Sequence, residues 1–250
     1  MELVTTQEVK DYAHSIGVSA GVVSFNRLSM LPTGDVAGVK TLVGAEEELP
    51  SVRSAIVLGY LVRDSIFNVM ALTPLPESPR GAEMSFEFHQ LYSEVATNKA
   101  WMVVDYLRRL GYEAKPSRGI ALKRAAVLAG LGRQGKNTVV INQEHGPRLR
   151  FSSVLTSAEL EPDEPYTFDL CGDCDLCVRA CPTGALKPYE IEIKKCMVYA
   201  AENPSSNEVG RDIRELERKL IKRPTQNSFI ECTICLDACP FGRGKTTHLE

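Results

Sequence analysis

The chain has 250 residues, 44% hydrophobic and 24% charged, with a formal net charge of -3. That is enough for one large or two modest domains with real cores. The slightly acidic balance excludes a chain built to coat nucleic acid, and no apolar run approaches the ~20 residues of a membrane helix. The N-terminus MELVTTQEVK has neither a secretory signal pattern nor a twin-arginine signal, so a cytoplasmic location and reduced thiols are expected, with no membrane partner.

Thr5 to Ile16 is predicted as a helix, with Thr5 and Glu8 forming a capping box and Val9, Tyr12, Ala13 and Ile16 an apolar face. Residues 18–25 (VSAGVVSF) and 54–62 (SAIVLGYLV) read as strands separated by a loop-rich segment 26–53. Residues 72–81, with three prolines and Gly81, read as a loop. A long helix is expected from about Glu83 to Leu110, burying Phe88, Tyr92, Val95, Met102, Val103, Tyr106 and Leu110. A short strand near Tyr112–Ala114, a helix over Ala121–Leu131 and strands over Asn137–Asn142 and Leu149–Thr156 follow. Strands and helices alternate without a regular β-α-β rhythm, so the expected class is α+β. The acidic, proline-bearing stretch 158–169 reads as a linker, giving expected domains at 1–157 and 158–250, and the charged run 206–222 reads as a helical cover.

The eight cysteines carry the strongest signal. CGDCDLCVRACP places Cys171, Cys174, Cys177 and Cys181 in Cys-x2-Cys-x2-Cys-x3-Cys-Pro, the run that wraps a [4Fe–4S] cluster and sends its proline-linked cysteine to a second one. Zinc would instead want two Cys-x2-Cys pairs across a longer loop. Cys232, Cys235 and Cys239-Pro240 repeat the motif without its first ligand, whose position is Phe229; the lone Cys196 replaces it. The crossed assignment gives one cluster Cys171, Cys174, Cys177 and Cys239, and the other Cys181, Cys196, Cys232 and Cys235.

Upstream, AGLGRQGKN (129–137) fits Gly-x-Gly-x-x-Gly and nearly fits a P-loop. Both motifs need a strand before the glycines and a helix after, and here the order is reversed. What remains is a glycine turn at Gly130, Gly132 and Gly135 that permits close backbone approach. It sits among eight Lys/Arg between Lys115 and Arg150 against the single acid Glu144, a patch suited to an anionic or phosphate-bearing ligand.

AVLAGLGRQGKNTVVINQEHGPRLRFSSVLT followed by CGDCDLCVRACPTGAL, with Cys196 in KKCMVYAAEN and the shortened ECTICLDACPFG, resembles the epoxyqueuosine reductases, which are related to corrinoid iron–sulfur reductive dehalogenases. The resemblance implies a nitroreductase-like N-terminal domain joined to a two-[4Fe–4S] ferredoxin-like domain, with a base-off cobalamin between them. It implies a two-electron reduction fed by a low-potential ferredoxin- or flavodoxin-type donor. Gly130, Gly132, Gly135, Lys136 and Asn137 would serve the corrinoid, with Arg148 and Arg150 on its amides or phosphate. Glu87, in FEFH, falls where the family carries an acidic proton donor, with His89 in reserve. The family's queuosine enzymes continue into tRNA-gripping helical repeats, whereas this sequence stops about ten residues after Cys239. The expected substrate is therefore a small molecule, a modified nucleoside or another protein's corrinoid rather than tRNA. Two other readings stand beside this one: an electron-transfer protein that docks a redox partner without corrinoid, and a flavin oxidoreductase.

Overall fold

The computed structural model describes residues 3–36, 40–74 and 86–242. Its N-terminal half is built on a four-stranded antiparallel sheet of β1 (Ser19–Ser24), β2 (Ser54–Leu61), β5 (Ala114–Ser117) and β6 (Leu149–Thr156), in the order β1-β2-β6-β5. Side chains alternate between the two faces of a strand. Val22, Ile56, Leu58 and Val154 pack toward α1 (Thr6–Ser15) and α2 (Leu91–Arg109). Val23, Ala55, Val57 and Leu155 pack toward α3 (Leu122–Leu128) on the other face. Both faces are covered, which is why these strands read as nearly continuous apolar runs. The capping box at Thr5 and Glu8 forms as expected.

The expected helix over 83–110 divides in two. Phe86–Gln90 is a strand, β4, paired antiparallel with β3 (Val69–Pro74), and the helix begins only at Leu91. FEFHQ alternates with a period of two and carries two aromatic residues, a strand pattern that outweighs helical spacing there. The buried stripe of α2 is Ala96, Ala100, Val103, Val104 and Leu107, while Leu110 is exposed. Small residues face the sheet because they let the helix axis approach it closely. Most of the expected loop 72–81 lies outside the described residues. The expected strand 137–142 shrinks to Val140–Ile141, because a turn at 135–138 puts Thr138 at positive φ.

The stretch read as a linker is a packed strap. Ala158 and Leu160 are buried in the first core, and the Leu160 amide donates to Ser54 Oγ at 3.0 Å. Asp163 accepts from the Val22 amide and from Lys10. Beyond it come α4 (Leu176–Ala180), α5 (Met197–Glu202), α6 (Arg211–Leu220), β7 (Ser228–Ile230) and α7 (Ile234–Asp237). β7 crosses back to pair with β3, so a strand from beyond residue 158 completes a three-stranded sheet with the β3–β4 hairpin. Phe229, at the missing-ligand position, is fully buried there among Met70, Leu72, Met197 and Ile221.

Candidate functional site

The glycine turn and the two cysteine motifs meet. The Lys136 amide points at Cys171 Sγ at 3.4 Å, and its ammonium donates to the Gly172 carbonyl at 2.6 Å. The next residue turns the other way: Asn137, 3% exposed, reaches the Cys235 carbonyl at 3.5 Å. Consecutive residues of one turn thus brace both thiol loops. Arg148 pairs with Asp237 on α7, between Cys235 and Cys239. Gly146 packs so tightly on the Phe241 carbonyl that a Cβ there would lie 2.1 Å from its oxygen.

The close approach that the glycines permit is largely internal. A Cβ on Gly132 would meet the Ile141 carbonyl oxygen at 2.3 Å, and one on Gly135 the Ile141 side chain at 2.3 Å. One on Gly130 would meet the Glu164 carbonyl oxygen at 2.8 Å. Of the residues expected at a cofactor, Asn137 and Arg150 line the cavity described below, whereas Lys136 and Arg148 hold the thiol loops and the glycines pack on Ile141 and Glu164.

The thiols of the two motifs lie near enough to act on one another's protonation. Burial raises the Cys239 thiol, and Cys171, Cys177 and Cys174 raise it further. Burial likewise raises Cys232, with added repulsion from Cys196 and Cys181. Cys235 is pushed up to about 12 by burial and then by Cys232, Cys196, Cys181 and Cys177. Cys239 thus feels the thiols of the first motif, and Cys232 feels Cys196 and Cys181. Iron binds thiolate, so ligation must displace these protons. Among the described residues no three His, Cys, Asp or Glu side chains converge closely enough for one metal ion. A cubane spreads its four ligands over four irons, so the two observations agree. The donor sets therefore suit two clusters.

Cys181, Cys196, Cys232 and Cys235 open on a cavity of about 460 Å³. The same cavity is lined by Tyr92, Lys123, Arg150, Glu202 and Glu231, of which Arg150 was expected from the sequence and Tyr92, Glu202 and Glu231 were not. Gln90 donates to Glu231 at 2.7 Å, Tyr92 OH lies 3.3 Å from the same carboxylate, and the Arg150 guanidinium sits 5.0 Å from the Tyr92 ring centroid. Burial, then Glu231, raises the Tyr92 phenol, and burial raises Glu231. Glu202 is pushed up to about 7 by burial and secondly by Glu231. The available signals were an acid ending the apolar run Tyr199-Ala200-Ala201 and one placed directly before a ligand cysteine. His89 is exposed and does not line this cavity. The Glu87 backbone pairs with Thr73 in β4, and its side chain lies outside the described residues.

Glu202 makes a pH prediction. A carboxyl with a raised folded pKa binds more protons folded than unfolded, so stability falls as pH rises from the ordinary carboxylate value through about 7. Glu202→Gln should remove that slope. The variant should gain about 2 kcal/mol over the parent at pH 8, allowing for screening within the cavity, and nothing at pH 4. Thermal unfolding midpoints across this range check it; an unchanged slope would place Glu202 in water.

For a corrinoid the fit is partial. Val139, Leu149 and Phe151 give apolar walls, and Asn137 and Arg150 can bond ring amides.

Residues 170–242 match the family of 4Fe-4S double cluster binding domains. In sequence the chain is 34% identical over 123 residues to an epoxyqueuosine reductase of Listeria monocytogenes, covering 49% of this chain and 30% of that protein. It is 40% identical over 123 residues to a tetrachloroethene reductive dehalogenase of Desulfitobacterium hafniense, covering 45% and 22%. These alignments span less than half the length of either relative. In structure it resembles the Bacillus subtilis epoxyqueuosine reductase with a TM-score of 0.70 at 22% identity, over 98% of this chain and 67% of that one. A catabolic reductive dehalogenase follows at 0.54 and 19%, over 82% and 30%. The chain is thus homologous to both kinds of enzyme. Among the described residues no helix is long and apolar enough to cross a membrane.

Proposed function

We propose that this protein is an iron–sulfur reductase, similar to epoxyqueuosine reductase, whose two [4Fe–4S] clusters feed a two-electron reduction. One observation carries the reading: Cys181, Cys196, Cys232 and Cys235 line the same cavity as the proton-bearing Tyr92, Glu202 and Glu231. A relay protein needs only an exposed cluster edge. A reductase needs a closed place where electrons and protons arrive together.

Cys171, Cys174, Cys177 and Cys239 hold the first cluster, and Cys181, Cys196, Cys232 and Cys235 the second, facing the cavity. Lys136 and Asn137 fix their separation. Glu202, held near neutrality, keeps a proton in the cavity, while Arg150 and the Gln90–Glu231–Tyr92 network fix the polar wall. Glu87 stands as a further proton donor, on the strand that ends at Gln90, and His89, exposed and outside the cavity wall, is left out of that role. The N-terminal domain is of the nitroreductase kind, and the location is cytoplasmic. A cobalamin, when bound, supplies the low-potential two-electron chemistry. Val139, Leu149, Phe151, Asn137 and Arg150 are the residues that would border it. One similar structure, of epoxyqueuosine reductase, holds an epoxyqueuosine-modified tRNA stem loop; for this chain a modified nucleoside or other small molecule is the proposed substrate.

The test is anaerobic reconstitution with iron, sulfide and hydroxocobalamin, followed by desalting, iron analysis and EPR. About eight irons per chain with retained corrinoid supports the reductase. Eight irons without corrinoid favours an electron-transfer protein that docks a partner.

A further inference from the structure

On the side of the first cysteine motif lies a second concavity, of about 670 Å³, that shares no lining residue with the cavity above. α3 separates them: Leu122 and Lys123 line the first, and Arg124, Val127 and Leu128 the second. The groove is wired to the first motif. Tyr189 and Asp169 lie in its wall, and the Tyr189 hydroxyl donates to Asp169 Oδ2 at 2.9 Å. Asp169 Oδ1 accepts the Cys171 amide at 3.0 Å, and the Tyr189 amide donates to the Lys136 carbonyl at 3.2 Å. Tyr189 is held there at φ +67°.

The rim has the composition of a contact surface. Met30 is 74% exposed, Phe168, beside Asp169, is 69% exposed, and Tyr189 also faces solvent. Arg27, Arg124 and Arg133 line the groove. Met, aromatic residues and Arg are the types enriched at the centres of protein interfaces. The charge opposes that of the molecule: three arginines gather on a chain with net charge -3. Of the acids nearby, Asp169 is engaged as described and Glu164 lies 3.7 Å from Arg27. Asp173 is exposed in the thiol loop, Asp175 pairs with Arg179, and Asp163 is bonded to Lys10. Arg124 and Arg133 form no ion pair among the described residues and give the groove its excess positive charge.

We propose that this groove docks a small acidic one-electron carrier protein, which delivers electrons to the cluster of Cys171, Cys174, Cys177 and Cys239. The inference rests on the reductase reading. Each encounter oxidises the carrier by one electron and reduces the cluster by one, so two encounters supply one turnover. Such interfaces are small, and opposite charge raises their association rate rather than their lifetime.

The test uses the reconstituted full chain in stopped flow, with a reduced acidic [2Fe–2S] ferredoxin as probe. The double variant Arg124→Glu/Arg133→Glu should be reduced about tenfold more slowly at low salt and lose most of the salt dependence. The distant pair Arg218→Glu/Lys219→Glu on α6 should behave as the parent, and photoreduced deazaflavin should reduce all three alike. Full iron with an unchanged rate in the arginine variant overturns the docking site alone. So does equal slowing in the α6 variant or with deazaflavin. A chain that holds no iron overturns the reductase reading and this proposal together.

Discussion

Cys239→Ala is expected to lose the cluster of the first motif and keep the one bound by its own neighbours, Cys232 and Cys235. Cys239 follows α7 and is 6% exposed, and after burial the thiols of Cys171, Cys177 and Cys174 help to raise its own. α4 and α7, one from each motif, pack against each other, the contact that a crossed assignment requires. Iron should fall from about eight to about four per chain, with the EPR signal of the cavity-facing cluster retained. Removing a ligand from a buried set leaves its partners repelling one another without the metal that offset them, so a three-thiol remnant should not hold a full cubane. Cys181→Ala is the mirror experiment and should spare the first cluster. Loss of the opposite cluster in either variant would sink the crossed assignment. In the Cys239 variant the ferredoxin probe should no longer reduce the chain rapidly, because the remaining cluster faces the cavity rather than the groove.

The double-cluster domain was legible because ligand spacing is a local property: three thiolates within seven residues need only one loop to converge. The sheet was legible for a similar reason. β2 and β6 are buried on both faces, so their apolar runs need no knowledge of partners. The chamber was not legible. Arg150 was expected at a ligand, but Glu202, Glu231 and Tyr92 come from three other segments, and each alone looks like an ordinary surface or helix residue. What brings them together is the return of β7 to pair with β3, a non-local event that no spacing announces. The glycine turn was legible as a place of close approach but not as to what approaches. Local sequence states that a Cβ is unwelcome, and only the fold shows that Ile141 and Glu164 are the reasons.

That distinction yields the second large effect. Gly132→Ala should be severely destabilising and should lower iron retention, although residue 132 touches no cysteine. Gly132 lies at φ +150°, outside the conformations a side chain adopts readily, and its Cβ would sit 2.3 Å from the Ile141 oxygen and 2.8 Å from its carbonyl carbon. The obstruction is backbone and cannot swing aside. Arg133 pairs with Ile141 in a two-stranded ladder, and Asn142 Nδ2 donates to the Leu131 carbonyl at 2.9 Å, so both sides of the contact are tied. Relief requires breaking that ladder, at roughly 3–5 kcal/mol, a large share of the ~5–15 kcal/mol of a typical domain. Gly17→Ala is the control: at φ +81° with nothing within 4 Å of its Cβ, it should cost only about 1–2 kcal/mol of backbone conformation. The turn that Gly132 begins carries Lys136 to Cys171 and Asn137 to Cys235, so a shift there moves both thiol loops at once. Thermal unfolding and iron analysis separate the two variants. If Gly132→Ala keeps parental stability and eight irons, the turn yields more easily than its contacts indicate, and Lys136 and Asn137 are neighbours of the clusters rather than the brace that sets their spacing.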